Sequence, residues 1–467
     1  MRKLTAYGIL FLVLCLIPFT RGASADAATK KTVKTYTITT KSKPSKKTTS
    51  LPTYNKYTKH YYVFRDILKE CEKKGGGEIT VKKGTYTITN ALCIPSNVTL
   101  TLEDGVTIKK GNQTGTDSMK PTKTMFQLIK PSKRTSKGYY KEYNGENNIN
   151  IIGEGSATID LKNIKGAIGI IIGHNKDITV TGITFKNMNA GHFIEMDASK
   201  NVTIKDCSFL ESLESPKHNK EAINIDTPDP LTGGFNCAWS AQDRTPNENV
   251  IIDNCSFKNI DCAVGTHRYS QNKDKKGKYT INVYHTDIKI TNSEFIGMRS
   301  YVFNVINWKD VEITDCKISG GSYEKVITST TPDGTVNTQF YTKYNSVMRL
   351  KGADNFTFKN NKVSQVGMVL ETFYITTTSA DYNALYTDLE FKLTPDNIKD
   401  MIFENEYSDI IGVMISTCPL KPGSIQEDEA YAKYLIYGAP GTPDDYVHLF
   451  VGLDYMTLAE DRNKNNK

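Results

Sequence analysis

An all-β solenoid, a parallel β-helix, is the fold class this sequence predicts, and three observations predict it. The first is a repeat. Asp177-Ile178-Thr179-Val180, Asn201-Val202-Thr203-Ile204, Asn249-Val250-Ile251-Ile252, Asp287-Ile288-Lys289-Ile290, Asp310-Val311-Glu312-Ile313 and Asn355-Phe356-Thr357-Phe358 fit one strand template. Their second residues stand 24, 48, 38, 23 and 45 residues apart. The short steps have the length of a bare coil of two or three strands. The longer steps carry insertions at Glu211–Lys220, Thr227–Pro246, Tyr269–His285 and Ser322–Asn345. Coils that pair only with their neighbours tolerate such insertions.

The second observation is a set of five segments that align one under another: His192–Asp197, Glu221–Asp226, Cys262–His267, Tyr301–Ile306 and Ser346–Lys351. Their third and fifth positions are nearly all apolar and their fourth and sixth carry the polar groups, the period of a strand with one face buried. The second positions, Phe193, Ala222, Ala263, Val302 and Val347, break strict alternation. They either tuck under loops on the outside or signal a reversed facing. The third observation is a column of small residues after the template, Cys207, Cys255, Ser293 and Cys316, expected inside the stack.

In chain order, Arg2 and Lys3, the apolar run Tyr7 to Phe19 and Ala23-Ser24-Ala25 predict a signal peptide over 1–25. The run is too short for a comfortable membrane span, and no later transmembrane segment is found. Residues 26–55 are expected to be a Lys/Thr-rich linker. Its seven lysines up to residue 50, with the basic leader, account for the whole net charge of +8, so the remainder is close to neutral. The linker is read as solvated, with contact to a polyanionic cell wall as the functional alternative. Tyr62 to Cys71 has helical spacing and is expected to cap the first coil. The β-helix domain is expected over 56–374, and 375–467 as a C-terminal cap or accessory region. Eight cysteines remain beyond the leader, without metal-type spacing. Adjacent coils place Cys207 and Cys255 at strand spacing, where a disulfide is possible but not needed.

Stacking the five segments puts Asp197, Asp226 and His267 in one outward column, neighbours roughly 5 Å apart and the ends roughly 10 Å apart. Glu195 and Asn224 stand one step along. Two carboxylates this close do not both ionise freely, so one pKa is expected to rise, as acid/base cleavage of a glycosidic bond requires. His267 is suited to hold one carboxylate in its working state. Arg349 and Lys351 are placed to hold an anionic sugar. Arg268 on the insertion after His267, and Trp239 on the one after Asp226, are candidate cleft walls. Trp239 either stacks on a sugar or packs its loop onto the scaffold.

The order Asp, Asp, His, Arg-x-Lys along successive coils resembles the polygalacturonase family of glycoside hydrolases. That family lines its cleft with Asn-x-Asp, Asp-Asp, Gly-His-Gly and Arg-Ile-Lys. Glu195-Met196-Asp197 or Asn224-Ile225-Asp226 resembles the first, Gly265-Thr266-His267 the third and Arg349-Leu350-Lys351 the last. Asp261-Cys262 stands nearest to the second. The resemblance spans about Gly75 to Glu371 and implies a right-handed coil, cleavage of galacturonan-like chains with inversion, and membership of the wider pectate-lyase superfamily.

Three function classes follow. The first is a secreted glycoside hydrolase with Asp226 and Asp197 as acid/base pair and no cofactor. The second is a polysaccharide lyase, with Ca²⁺ on Glu195, Asp197 and Asp226 and Arg349 or Lys351 as base. The third is a non-catalytic glycan- or wall-binding surface protein. A polysaccharide is the expected partner and a monomer the expected state. Nothing in the folded part has the basic patch or motif of a nucleic-acid binder.

Overall fold

Each turn of the chain lays down three short strands, and successive turns pair in parallel to give three long sheets wound as a right-handed parallel β-helix. The computed structural model describes residues 33–215, 219–230, 235–267, 270–273, 279–320, 322–330, 336–344, 346–350, 353–372, 402–416 and 434–435.

The template sheet follows the predicted repeat. Ile178 pairs with Val202, Val202 with Val250, Val250 with Ile288, Ile288 with Val311 and Val311 with Phe356. The residue before each, Asp177, Asn201, Asn249, Asp287, Asp310 or Asn355, has φ between 48° and 57°. That left-handed bend is one that Asn and Asp tolerate better than other side-chain-bearing residues, which is why the template opens on them. Their side chains also bond from coil to coil, as in Asn201 Nδ2 to Asp177 Oδ1 at 2.8 Å.

The second sheet stacks aromatics inside. Phe209 and Phe257 lie 4.7 Å apart and Phe257 and Phe295 4.9 Å apart, near-parallel. Cys207, Cys255, Ser293 and Cys316 form the expected buried column. All seven described cysteines are free thiols.

The third sheet carries the five aligned segments. Its ladder leaves out the second residue of each: Glu221 pairs with Cys262 and Ile223 with Val264 in one unbroken register, and Ala222 and Ala263 make no ladder pairing between them. The same gap in the ladder recurs from Ile168–Gly173 to Ser346–Leu350. Second and third residues both turn inward, and Phe193, Ala222, Ala263, Val302 and Val347 are 0% exposed in the main apolar core of the coil. This resolves the broken alternation: they lie neither under the outer loops nor on a reversed face.

Two expected boundaries shift. Thr35–Ile38, inside the tract expected as linker, is a strand paired with Gly77–Val81, and Ile38 is buried. A Thr-Tyr-Thr-Ile alternation suffices to extend a sheet despite flanking lysines. The stack also runs past 374, since Ile402–Ser416 pairs along Ala353–Thr372. Most of 375–467 otherwise lies outside the described residues. The predicted helix spans Lys59–Lys74 and ends on Gly75 in the left-handed region, φ 79°. It buries Tyr61, Tyr62, Val63, Phe64, Leu68 and Cys71 against the first coils. Among the described residues no helix is long and apolar enough to cross a membrane.

Candidate functional site

With positions two and three inward, positions one, four and six of the third sheet face outward. Glu195 is in register with Asn224, and Asp197 with Asp226. Asn224 aligns with Gly265, Gly265 with Asn304 and Asn304 with Arg349. His267 joins the sixth column through its backbone N–H, which donates to Asp226 Oδ1 at 3.1 Å. The three residues expected at one centre are therefore together.

They are not in water, which corrects the sequence reading. Asp197 and Asp226 are 0% exposed, Asn224 1%, Glu195 9%. The insertion after Asp226 covers them. Gly173, in register with Asp197, lies so close under that insertion that a Cβ there would meet Trp239 at 2.6 Å and Phe235 at 3.0 Å. The Cys237 thiol is raised by burial and then by the charges of Glu195 and Asp197, so it belongs to the same cover. A buried network pins the loop: Ser270 Oγ donates to Asp229 Oδ2 at 2.7 Å and Arg244 Nε to the same oxygen at 3.1 Å.

Trp239 takes the packing role of the two expected for it. It is 2% exposed, 5.3 Å from Phe235 and 5.8 Å from Tyr140, and its indole N–H donates to Gln127 Oε1 at 3.2 Å. Arg349 is half-buried, its guanidinium 5.1 Å from the Tyr301 ring centroid. Arg268 and Lys351 lie outside the described residues. Asp261 is 0% exposed and held by Arg299 Nε at 2.8 Å, so it is not part of the wall.

The column at position one adds His192 and Glu221. His267 Nε2 stands 2.6 Å from Glu221 Oε2, and the His192 and His267 rings are 5.0 Å apart. His192 Nδ1–H donates to the Glu221 carbonyl at 2.7 Å, and Asn304 Nδ2–H to Glu221 Oε1 at 3.3 Å. In sequence these residues show only as a shared first position. The fold brings them in because positions two and three both turn inward and leave position one outward.

Four carboxyls on two adjacent rungs divide by environment. Burial, and then the charge of Asp226, pushes Glu195 up to about 7. Burial with the charges of Glu195 and Asp226 holds Asp197 well above the ordinary carboxylate range, and neither Asp197 oxygen has a hydrogen-bond partner among the described residues. Burial would raise Glu221 too, but the charge and hydrogen bond of His267 outweigh it and bring Glu221 down to about 2. Burial opposes charge on His267, and Glu221 reverses that and raises it. Burial and the charge of His267 push His192 down to about 3. The wall thus combines proton-holding carboxyls with an ion pair 2.6 Å across, the divergence expected of acid/base chemistry.

No family model matches the chain. Over 278 residues, 54% of its length, it is 27% identical to the plasmin and fibronectin-binding protein A of Streptococcus pneumoniae (strain ATCC BAA-255 / R6). The matched stretch is 35% of that protein, so the chain spans about a third of the length of the curated relative it matches. Among solved structures, the S. pneumoniae surface protein and adhesin PfbA aligns with a TM-score of 0.52 and 20% identity, over 76% of this chain and 84% of that one. A second PfbA crystal structure gives 0.49 and 16% identity, over 76% and 82%. At these identities the likeness is one of fold.

Proposed function

We propose that this chain is an exported, surface-associated carbohydrate-active protein, a polygalacturonase-like glycoside hydrolase working at the wall of Glu195, Asp197, Asn224, Asp226 and His267. One observation carries the reading. Asp197 and Asp226 are register partners; burial and neighbouring charge favour the protonated form of Asp197, whose oxygens have no hydrogen-bond partner among the described residues. A buried carboxyl kept neutral beside other carboxylates is costly to stability and useful to proton transfer.

In the proposed reaction Glu195, the least covered of the four carboxyls, protonates the departing glycosidic oxygen. Water adds to the anomeric carbon as that bond breaks, and Asp226 takes the water's proton. Burial and the charge of Asp226 keep Glu195 protonated, and His267 positions Asp226 through its backbone N–H. Arg349, in the column of Glu195 and Asn224, receives a uronate carboxylate. Cleavage at Asp226 requires the segment from Phe235 to Ser240 to lift. The leader over 1–25 exports the chain, and lysines between 26 and 34 contact the wall.

A second reading has its own support. The matched relative is named for binding plasmin and fibronectin, and the full cover over Asp197 and Asp226 suits a protein that binds without cleaving. Purified protein is screened against acidic and neutral polysaccharides with and without chelator, reading reducing ends and ultraviolet absorbance together. New reducing ends without absorbance, lost in Asp226→Asn, support the hydrolase. Absorbing unsaturated products lost on chelation indicate a Ca²⁺-dependent lyase. Binding with no bond cleaved indicates an adhesin.

A further inference from the structure

We propose that His192, Glu221 and His267 form a binding site for a divalent transition-metal ion of the zinc class. His192 and Glu221 open adjacent rungs, and His267 follows the next one. One ligand atom from each lies within 4.8 Å of the other two. Ligands around a four-coordinate ion at about 2.0–2.2 Å stand roughly 3.3–3.5 Å apart, so small side-chain rotations close the triangle. Two imidazoles and one carboxylate are the donor set of zinc rather than of calcium or magnesium.

The surroundings hold the ligands in the required state. His192 gives its Nδ1 proton to the Glu221 carbonyl at 2.7 Å, which leaves the Nε2 lone pair outward. Asn304 orients Glu221 through Oε1, leaving Oε2 toward the imidazoles. The Asn224 amide lies 3.0 Å from His267 Nδ1. His192 and Glu221 thus each have the outer partner that metal-binding side chains have, and the acceptor facing His267 Nδ1 is Asp226 Oδ2 at 3.8 Å. The His267 side chain is 19% exposed, so the remaining coordination position opens toward the cleft, beside the Asn219 carbonyl at 3.3 Å. Asp226 adds negative charge within the same wall, opposed by the charge of Lys220.

Without metal, one proton lies between His267 Nε2 and Glu221 Oε2; the ion takes its place and the proton leaves to solvent. The test is a titration of the chelator-stripped full chain with Zn²⁺ and with Co²⁺, following heat, pH change and visible Co²⁺ absorption. The expected result is one equivalent bound with proton release and a low-symmetry Co²⁺ spectrum. His192→Ala, which leaves no buried charge behind, is expected to weaken Zn²⁺ binding by at least about 100-fold, and Asn304→Ala by about 10-fold. Circular dichroism confirms that each variant folds. No stoichiometric binding by the wild type, or unchanged binding by a folded His192→Ala, overturns the site. No glycan enters the titration, so its outcome is independent of the hydrolase reading.

Discussion

The template sheet and the sheet of His192–Asp197 are built from the same coils, yet their outer faces carry charge in opposite ways. On the template sheet, charges cancel from rung to rung. Lys200 meets Glu248 at 2.6 Å, Lys289 meets Glu312 at 3.1 Å, Lys309 meets Asp354 at 2.9 Å and Lys359 meets Glu404 at 2.7 Å, all partly in water. On the other sheet, Asp197 stacks on Asp226, with Glu195 beside them and Glu221 opening the second rung, and all four are buried. A paired, solvated ladder costs little and keeps the surface soluble. A covered carboxylate cluster lowers stability, which is the mark of a surface kept for binding or chemistry.

That contrast can be broken from either side. The largest effect is expected at Asp226→Asn, where turnover on a cleaved glycan falls by about 10²–10⁴-fold while circular dichroism and the melting temperature stay near wild type. Next comes Arg299→Ala, which leaves Asp261 buried and unpaired at the edge of the covered sheet. It is expected to cost about 3–5 kcal/mol in denaturant unfolding, and an unchanged midpoint would deny that burial sets the electrostatics there.

The third concerns pH. The folded pKa of Glu195, about 7, lies above its ordinary 4.5, so the folded chain binds more protons than the unfolded chain between those values. Its contribution is full below about 4.5 and is lost as pH rises through 7, on the order of 3 kcal/mol. Glu195→Gln is expected to flatten that slope in unfolding measured with chelator present. The smallest effect is expected on the template sheet. Lys289→Met breaks the pair with Glu312 and shifts stability by less than about 1 kcal/mol, less still in high salt.

The coils were legible because their signals are local. An Asn or Asp that accepts a left-handed bend, followed by alternating apolar residues, marks each template strand on its own. The inward turn and missing ladder pairing at Phe193, Ala222, Ala263, Val302 and Val347 were not legible. They are properties of the ladder between strands and appear in one strand only as a pair of adjacent apolar residues. The columns of Asp197 with Asp226 and of Glu195 with Asn224 followed from aligning the segments. Their burial did not, because it depends on Trp239 reaching Gln127, 112 residues earlier in the chain. The strand at Thr35–Ile38 was masked by the lysines around it.

The most direct test is the protonation of Asp197, read by isotope-edited infrared difference spectroscopy between wild type and Asp197→Asn across the pH range. A protonated carboxyl band that belongs to Asp197 and persists at pH 7 is the result expected of a covered, unpartnered acid. A carboxylate already ionised near pH 4 would contradict it and place Asp197 with the ordinary solvated ladder.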